Sequence, residues 1–169
     1  MSAEVFAEPL QKVALFEGLT QQQLQELGRR TDRVIYRPGE VLIEENAEAD
    51  AAILIVSGDA VRVSGPAMRD RAEPVPTGAL LGEMAMLIET VHTATVVART
   101  SVRALRISRD DVHELMAKDA ALAHHFVERI ADRLKSLMDT LREVDATLCA
   151  SVSALPAPDS KPGAGATTH

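Results

Sequence analysis

The sequence predicts an α+β protein in which an antiparallel β-roll (jelly roll) is flanked by an N-terminal helix and by long C-terminal helices. Short β-type runs separated by turn residues fill positions 34–107, and helical periodicity precedes and follows them. Many short strands at near-regular spacing are typical of a jelly roll or barrel and not of a parallel sheet. The 169 residues, 46% of them hydrophobic, can build one domain with a good core. We therefore predict a single domain over residues 1–150.

The N-terminal segment, residues 1–33, is predicted to be helical. Thr20 can cap a helix, and Gln23 stands three residues later, where its side chain completes a capping box. Leu24 and Leu27 then supply one apolar face, which ends near Arg30.

Residues 34–107 form the predicted β-roll. Pro38-Gly39 and Ser57-Gly58 are turn signals between apolar runs, and residues 64–78, with three Pro and two Gly, predict an exposed hairpin loop. The predicted strands are Val34–Tyr36, Val41–Ile43, Ile53–Val56, Val61–Val63, Thr95–Ala98 and Val102–Ile107.

Two helices are predicted over residues 108–150, capped by Ser108 and by Asp119. The second carries apolar residues spaced alternately three and four apart over three heptads, as in a coiled coil. A helix that lies on the roll would use a wider apolar stripe, so the narrow seam predicts a homodimer. The seam residues are Val127, Ile130, Leu134, Leu137, Leu141, Val144 and Leu148. The tail over residues 151–169 is rich in Pro, Gly, Ala, Ser and Thr, and we predict it to be disordered.

The composition argues against several classes of partner. A net charge of −7 and an aromatic content of 2% are unfavourable for a nucleic-acid-binding surface. No apolar run reaches the roughly 18 residues of a membrane-spanning helix, and the N-terminus does not resemble a signal peptide, so we expect a cytoplasmic protein. Cys149 is the one cysteine, which leaves no intrachain disulfide. A disulfide between two parallel seams is geometrically possible but is disfavoured in a reducing cytosol.

Three segments read together resemble the cyclic-nucleotide-binding domain family. This family includes bacterial catabolite activator proteins, regulatory subunits of cyclic-AMP-dependent kinase, and gated channels. The segments are residues 36–45, residues 53–63 with their Ser57-Gly58 turn, and residues 82–96, which resemble the family's phosphate-binding cassette. Several ordered motifs together make the resemblance specific, whereas any one of them alone would be weak.

The resemblance implies a site for cyclic AMP, cyclic GMP or a related anion, with no metal and no cofactor. Glu83 would accept the ribose 2′-hydroxyl, and the backbone of Gly82, Met84 and Ala85 would meet the phosphate together with the side chains of His92 and Thr93. A glycine allows the backbone to come close to a ligand, and a following helical turn presents free N–H groups to an anion. Thr93 has a second interpretation, as a strand residue of high β-propensity.

His92 departs from the family pattern, because the family has an arginine nine residues after the cassette glutamate. Arginine offers a permanent planar charge, while histidine is mostly neutral near pH 7. A charge-assisted hydrogen bond is worth roughly 1.5–3 kcal/mol, so its loss weakens binding by about ten- to a hundredfold. Asn46 stands where the family commonly has Gly, which is a milder departure.

The sequence is consistent with two functions. The first is a stand-alone sensor that binds a nucleotide weakly; the second is a degenerate, non-binding domain that serves as a dimeric scaffold for a protein partner. The Pro38-Gly39 and Ser57-Gly58 turns also resemble those of metal-binding cupins, but only His92 of five histidines lies among the strands. We expect no catalytic site. The family's transcription regulators carry a helix-turn-helix after the long helix, and the low-complexity tail cannot form one, so we expect no DNA binding.

Overall fold

The structure is a computed structural model that describes residues 4–63 and 72–154. The chain divides into two compact units, Met1–Arg129 and Ile130–His169. Whether residues 1–150 form a single domain stays a prediction. The first unit contains both large sheets and the start of the last helix, and the described part of the second unit is the remainder of that helix.

The described residues form four α-helices, two short 3-10 helices and ten strands. The helices are α1 (Glu4–Gln11), α2 (Gln21–Arg29), α3 (Arg109–Lys118) and α4 (Ala120–Ser153), with 3-10 helices at Ala14–Phe16 and Glu83–Met86. The strands are β1 (Asp32–Tyr36), β2 (Val41–Ile43), β3 (Glu48–Ala49), β4 (Ala51–Ser57), β5 (Ala60–Val63), β6 (Glu73–Val75), β7 (Leu80–Leu81), β8 (Thr90–Val91), β9 (Thr95–Ala98) and β10 (Val102–Ser108).

Two antiparallel four-stranded sheets and one small pair of strands make up the β part. The first sheet has the order β1-β10-β4-β7 and the second has the order β2-β9-β5-β6, while β3 pairs with β8. One buried cluster draws side chains from both large sheets, including Ile53 and Ile55 of β4 and Val96 of β9. The predicted α+β class and the β-roll with flanking helices are confirmed.

Strand β4 is buried along most of its length, which explains why its sequence is continuously apolar. Alternate residues of a strand point to opposite faces of the sheet. Ile53 and Ile55 lie in the roll core, and Leu54 on the other face is also fully buried. Because both faces are covered, the strand lacks the apolar-polar alternation of a half-exposed strand.

The predicted helix caps are confirmed. Thr20 and Gln23 form a reciprocal capping box at the start of α2. The hydroxyl of Ser108 accepts a hydrogen bond from the amide of Asp111, and the Asp119 carboxylate accepts from the first amides of α4. Local side chains thus satisfy backbone donors that a helix leaves without partners at its start.

The start of α4 docks on the N-terminal segment through an aromatic pair. Phe16 and Phe126 are almost completely buried, and their rings meet edge to face with centroids 6.2 Å apart. Nε2 of His125 lies 2.8 Å from the carbonyl oxygen of Leu15, and Arg129 donates to the carbonyl of Glu17 over 2.9 Å. One apolar contact flanked by two polar ones therefore fixes this end of the helix.

Some predicted boundaries were wrong. Strand β1 begins at Asp32 and not at Val34, and strands β3, β6, β7 and β8 were missed. Strand β6 falls inside the predicted loop over residues 64–78, of which 64–71 lie outside the described residues. Its Pro74 is tolerated because β6 is an edge strand of the second sheet as described, where a missing N–H donor costs little.

The second unit continues α4 from Ile130 to Ser153, three residues beyond the predicted end at 150. The predicted disordered tail otherwise falls at residues 155–169, outside the described residues. Ile130 is half-buried, and the other seam residues of this unit are 50–68% exposed. They are Leu134, Leu137, Leu141, Val144 and Leu148. Across the described part of the chain, helices with the length and apolarity needed to cross a membrane are absent.

Candidate functional site

The candidate site is built around Gly82, which begins the 3-10 helix Glu83–Met86. Gly82 has φ +64° and ψ +40°, a left-handed conformation that disfavours residues with a Cβ. It turns the chain from β7 directly into the helical turn. The first N–H groups of a helical turn have no carbonyl partner within the turn and point out of its N-terminal end, where they can bind an anion.

His92 lies against Gly82, although ten positions separate them in the sequence. A Cβ added to Gly82 would lie 3.0 Å from Cε1 and 3.3 Å from Nδ1 of the His92 ring. These distances are tighter than ordinary van der Waals contacts. The imidazole therefore lies tightly against the position that a side chain of Gly82 would take, directly beside the start of the 3-10 helix.

The environment of His92 keeps its imidazole neutral at pH 7. Burial lowers the pKa of His92 below its ordinary value of 6.5, and the negative charge of Asp50 opposes this only in part. Asp50 itself accepts a hydrogen bond of 2.6 Å from Arg106. The ring is therefore mostly uncharged at pH 7 in the free protein.

Two backbone hydrogen bonds hold His92 in place. The amide of Asn46 donates to the carbonyl of His92 over 2.8 Å, and the amide of His92 donates to the carbonyl of Ala47 over 3.1 Å. Asn46 has φ +64°, a left-handed conformation that Asn adopts more readily than most residues. This explains how Asn serves at a position where the family commonly has Gly.

The remaining cassette residues, Met84 and Ala85, differ in burial and in the use of their backbone groups. Met84 is half-buried, and its carbonyl accepts from the amides of Leu87 and Ile88. Ala85 is fully buried, and its amide already donates to the carbonyl of Gly82 over 2.9 Å. The structure therefore uses the Ala85 amide within the cassette and does not present it to a ligand.

Glu83 and Thr93 complete the predicted set. Glu83 is the first residue of the 3-10 helix and is half-buried, while Thr93 is exposed one position after His92. Gly82, Glu83 and His92 are thus brought together at one end of the 3-10 helix. Thr93 is near this end of the helix only because it directly follows His92 in the sequence.

Sequence reasoning missed three residues near the cassette. The negative charge of Asp50 raises the pKa of His92 and so partly offsets the effect of burial. Arg109 and His113 of α3 contact the carbonyls of the two residues that follow the 3-10 helix. All three are distant in sequence from the residues they affect. No local pattern marks them, since only the packing of α3 on the cassette makes these contacts.

Comparison with known proteins identifies the family. Residues 33–119 match the family described as the cyclic nucleotide-binding domain, and this span is more than half of the chain. The chain belongs to the cyclic nucleotide-binding domain family. This confirms the resemblance carried by the three sequence segments.

A curated relative and two solved structures agree with this assignment. The cAMP-dependent protein kinase regulatory subunit of Aspergillus fumigatus is 32% identical over 111 residues, which cover 63% of this chain and 26% of that protein. A cyclic nucleotide-binding-like protein from Brucella abortus is 33% identical, with a TM-score of 0.60, covering 67% of this chain and 98% of that one.

The N-terminal domain of a transcriptional regulator from Streptomyces coelicolor has a TM-score of 0.71 at 24% identity, covering 79% of this chain and 94% of that one. At 24% identity, this similarity is evidence for a shared fold only. The chain spans about a quarter of the length of the fungal regulatory subunit.

Proposed function

We propose that this protein is a non-enzymatic, cytoplasmic regulatory domain that binds cyclic AMP, cyclic GMP or a related anion weakly, and that His92 must take up a proton for tight binding. The observation that carries the proposal is the contact of the His92 ring with Gly82 at the start of the 3-10 helix. An anion at this helix start would meet the imidazole directly. Glu83, at the same end, would accept the ribose hydroxyl.

The pH dependence follows from the pKa of His92 in the two states. In the free protein burial lowers this pKa below 6.5, and a bound anion would raise it by favouring the imidazolium. Binding then takes up a proton at any pH between the two values. Affinity should therefore rise as the pH falls from about 8 to 6.

Calorimetric titration with cyclic AMP and cyclic GMP at pH 6 and pH 8 tests the proposal. We expect the wild type to bind more tightly at pH 6. His92→Arg should bind about ten- to a hundredfold more tightly than the wild type at pH 8, with little pH dependence, because arginine stays charged. Wild-type binding that is equal at both pH values would contradict a role for His92 in the site.

The second candidate function is a non-binding scaffold, and one observation favours it. The neutral imidazole lies directly against Gly82, so in the free protein at pH 7 the side chain beside this helix start offers no positive charge to a phosphate. If neither the wild type nor His92→Arg binds either nucleotide at either pH, the nucleotide-sensor function is wrong and the scaffold function is favoured.

We also propose that α4 joins two copies of the chain through its seam. Val127 in the first unit is 56% exposed. In the second unit, Leu134, Leu137 and Leu141 each expose half or more of their surface. Apolar residues that repeat every 3.5 positions bury each other when two such helices pair. Each buried Leu contributes roughly 1.5–3 kcal/mol per chain.

A double substitution tests the seam. Leu137→Glu with Leu141→Glu should give monomers in light scattering, because four carboxylates would face each other in the paired state. Ser136→Glu with Ala150→Glu adds the same charge outside the seam and should leave the dimer intact. A seam variant that stays dimeric would place the contact elsewhere.

A further inference from the structure

Helix α3 contacts the end of the 3-10 helix through two side chains one turn apart. Nε2 of His113 lies 2.7 Å from the carbonyl oxygen of Leu87. Nη1 of Arg109 donates to the carbonyl of Ile88 over 3.3 Å and to the carbonyl of Ala49 over 3.1 Å. Residues at positions i and i+4 lie on the same face of a helix, so both point at the cassette. We call these two side chains the clamp.

The clamp satisfies the carbonyls of Leu87 and Ile88, the two residues that directly follow the 3-10 helix. The last carbonyls of a helix have no partner within it, and Arg or His side chains can donate to them. The helix Glu83–Met86 has four residues, too few to be stable alone. The direction of its first turn, beside Gly82, therefore depends on how its far end is held.

Arg109 also ties the cassette to strand β3. Its backbone amide donates to the carbonyl of Asp50 over 2.8 Å, and its guanidinium reaches Ala49 of the same segment. Ala49 pairs with Thr90 of β8, the strand that leads to His92. The clamp thus fixes the 3-10 helix on one side and the strand before His92 on the other.

We propose that Arg109 and His113 are positioning residues that hold the cassette in the conformation that receives the anion. They set the affinity of the site without touching the ligand. The effect on affinity rests on the proposed function, whereas the effect on the cassette exists in the free protein and can be measured there.

Amide hydrogen exchange of the ligand-free protein tests the clamp first. In His113→Leu the amides of Ala85, Leu87 and Ile88 should exchange about two- to tenfold faster, the range that the loss of one hydrogen bond produces. Arg109→Met should have the same effect. His113→Gln places an amide donor near the position of Nε2 and should restore the slow exchange.

Matched substitutions away from the cassette serve as controls. His124→Leu removes an exposed histidine that pairs with Glu128 on α4, and Arg99→Met removes an exposed arginine after β9. Both controls should leave cassette exchange unchanged. Unchanged cassette exchange in both clamp variants would overturn the proposal, and so would equally accelerated exchange throughout the two large sheets, because that would show general destabilisation.

Calorimetry with cyclic AMP completes the test, in the wild type and in the His92→Arg background. The clamp variants should weaken binding about two- to tenfold, and His113→Gln should restore it. Unchanged affinity despite faster cassette exchange would overturn the role in binding. Faster cassette exchange in a protein that binds no nucleotide in either background would support the positioning of the cassette and refute the proposed function.

Discussion

Replacing Gly82 with Ala should destabilise the protein for two separable reasons. An L-residue in the left-handed conformation costs roughly 1–2 kcal/mol, and Gly82 has φ +64°. The new Cβ would also lie 3.0 Å from Cε1 of His92, so the imidazole must shift by a few tenths of an ångström. A side chain pushed off its rotamer costs about 0.5–1.5 kcal/mol more. The expected loss in the free energy of unfolding is therefore about 1.5–3.5 kcal/mol.

Urea denaturation of matched variants separates the two contributions. Gly39 has φ +89°, and a Cβ added there meets no atom within 4 Å, so Gly39→Ala should show the backbone cost alone. Adding His92→Ala to Gly82→Ala should recover the steric part, measured against His92→Ala by itself. If Gly82→Ala costs no more than Gly39→Ala and shows no coupling to His92, the imidazole does not lie against Gly82.

Three further predictions concern stability. Phe126→Ala should lower the free energy of unfolding by about 3–5 kcal/mol in denaturant titrations, because it leaves a cavity against the buried ring of Phe16; a loss below 1 kcal/mol would contradict this packing. Ser108→Ala should cost about 1 kcal/mol through the lost cap of α3, and Ser108→Thr, which keeps the hydroxyl, should restore most of it. Folding lowers the pKa of His92, so it opposes protonation, and the free energy of unfolding should fall as the pH drops below about 6.5. His92→Gln should show a smaller fall between pH 7.5 and 5.5, and an equal fall would contradict the direction of the shift.

The elements that sequence patterns predicted are those that local chemistry determines. The Thr20 capping box and the caps at Ser108 and Asp119 follow from side chains within three residues of the amides they bind. The longer strands follow from apolar runs between turn residues, as for β4 and β10. In these cases neighbours in sequence are also the interacting groups.

The missed elements depend on partners that are distant in sequence. Strands β3 and β8 have two residues each, and they exist because residues 48–49 pair with residues 90–91. The same holds at the candidate site, where His92 directly follows β8 and exchanges backbone hydrogen bonds with Asn46 and Ala47, directly before β3. The sequence pointed to both residues through the family resemblance, but only the fold shows that the imidazole lies against the glycine.

The cassette supplies no permanent positive charge of its own. Between Arg71 and Arg99 the sequence has no Lys or Arg, while Glu83 and Glu89 lie within that stretch. Within this stretch, an anion bound at Gly82 would gain a cation only when His92 takes up a proton, against the burial that lowers its pKa. Under the proposed function the anion and the proton bind together, so each should raise the affinity for the other.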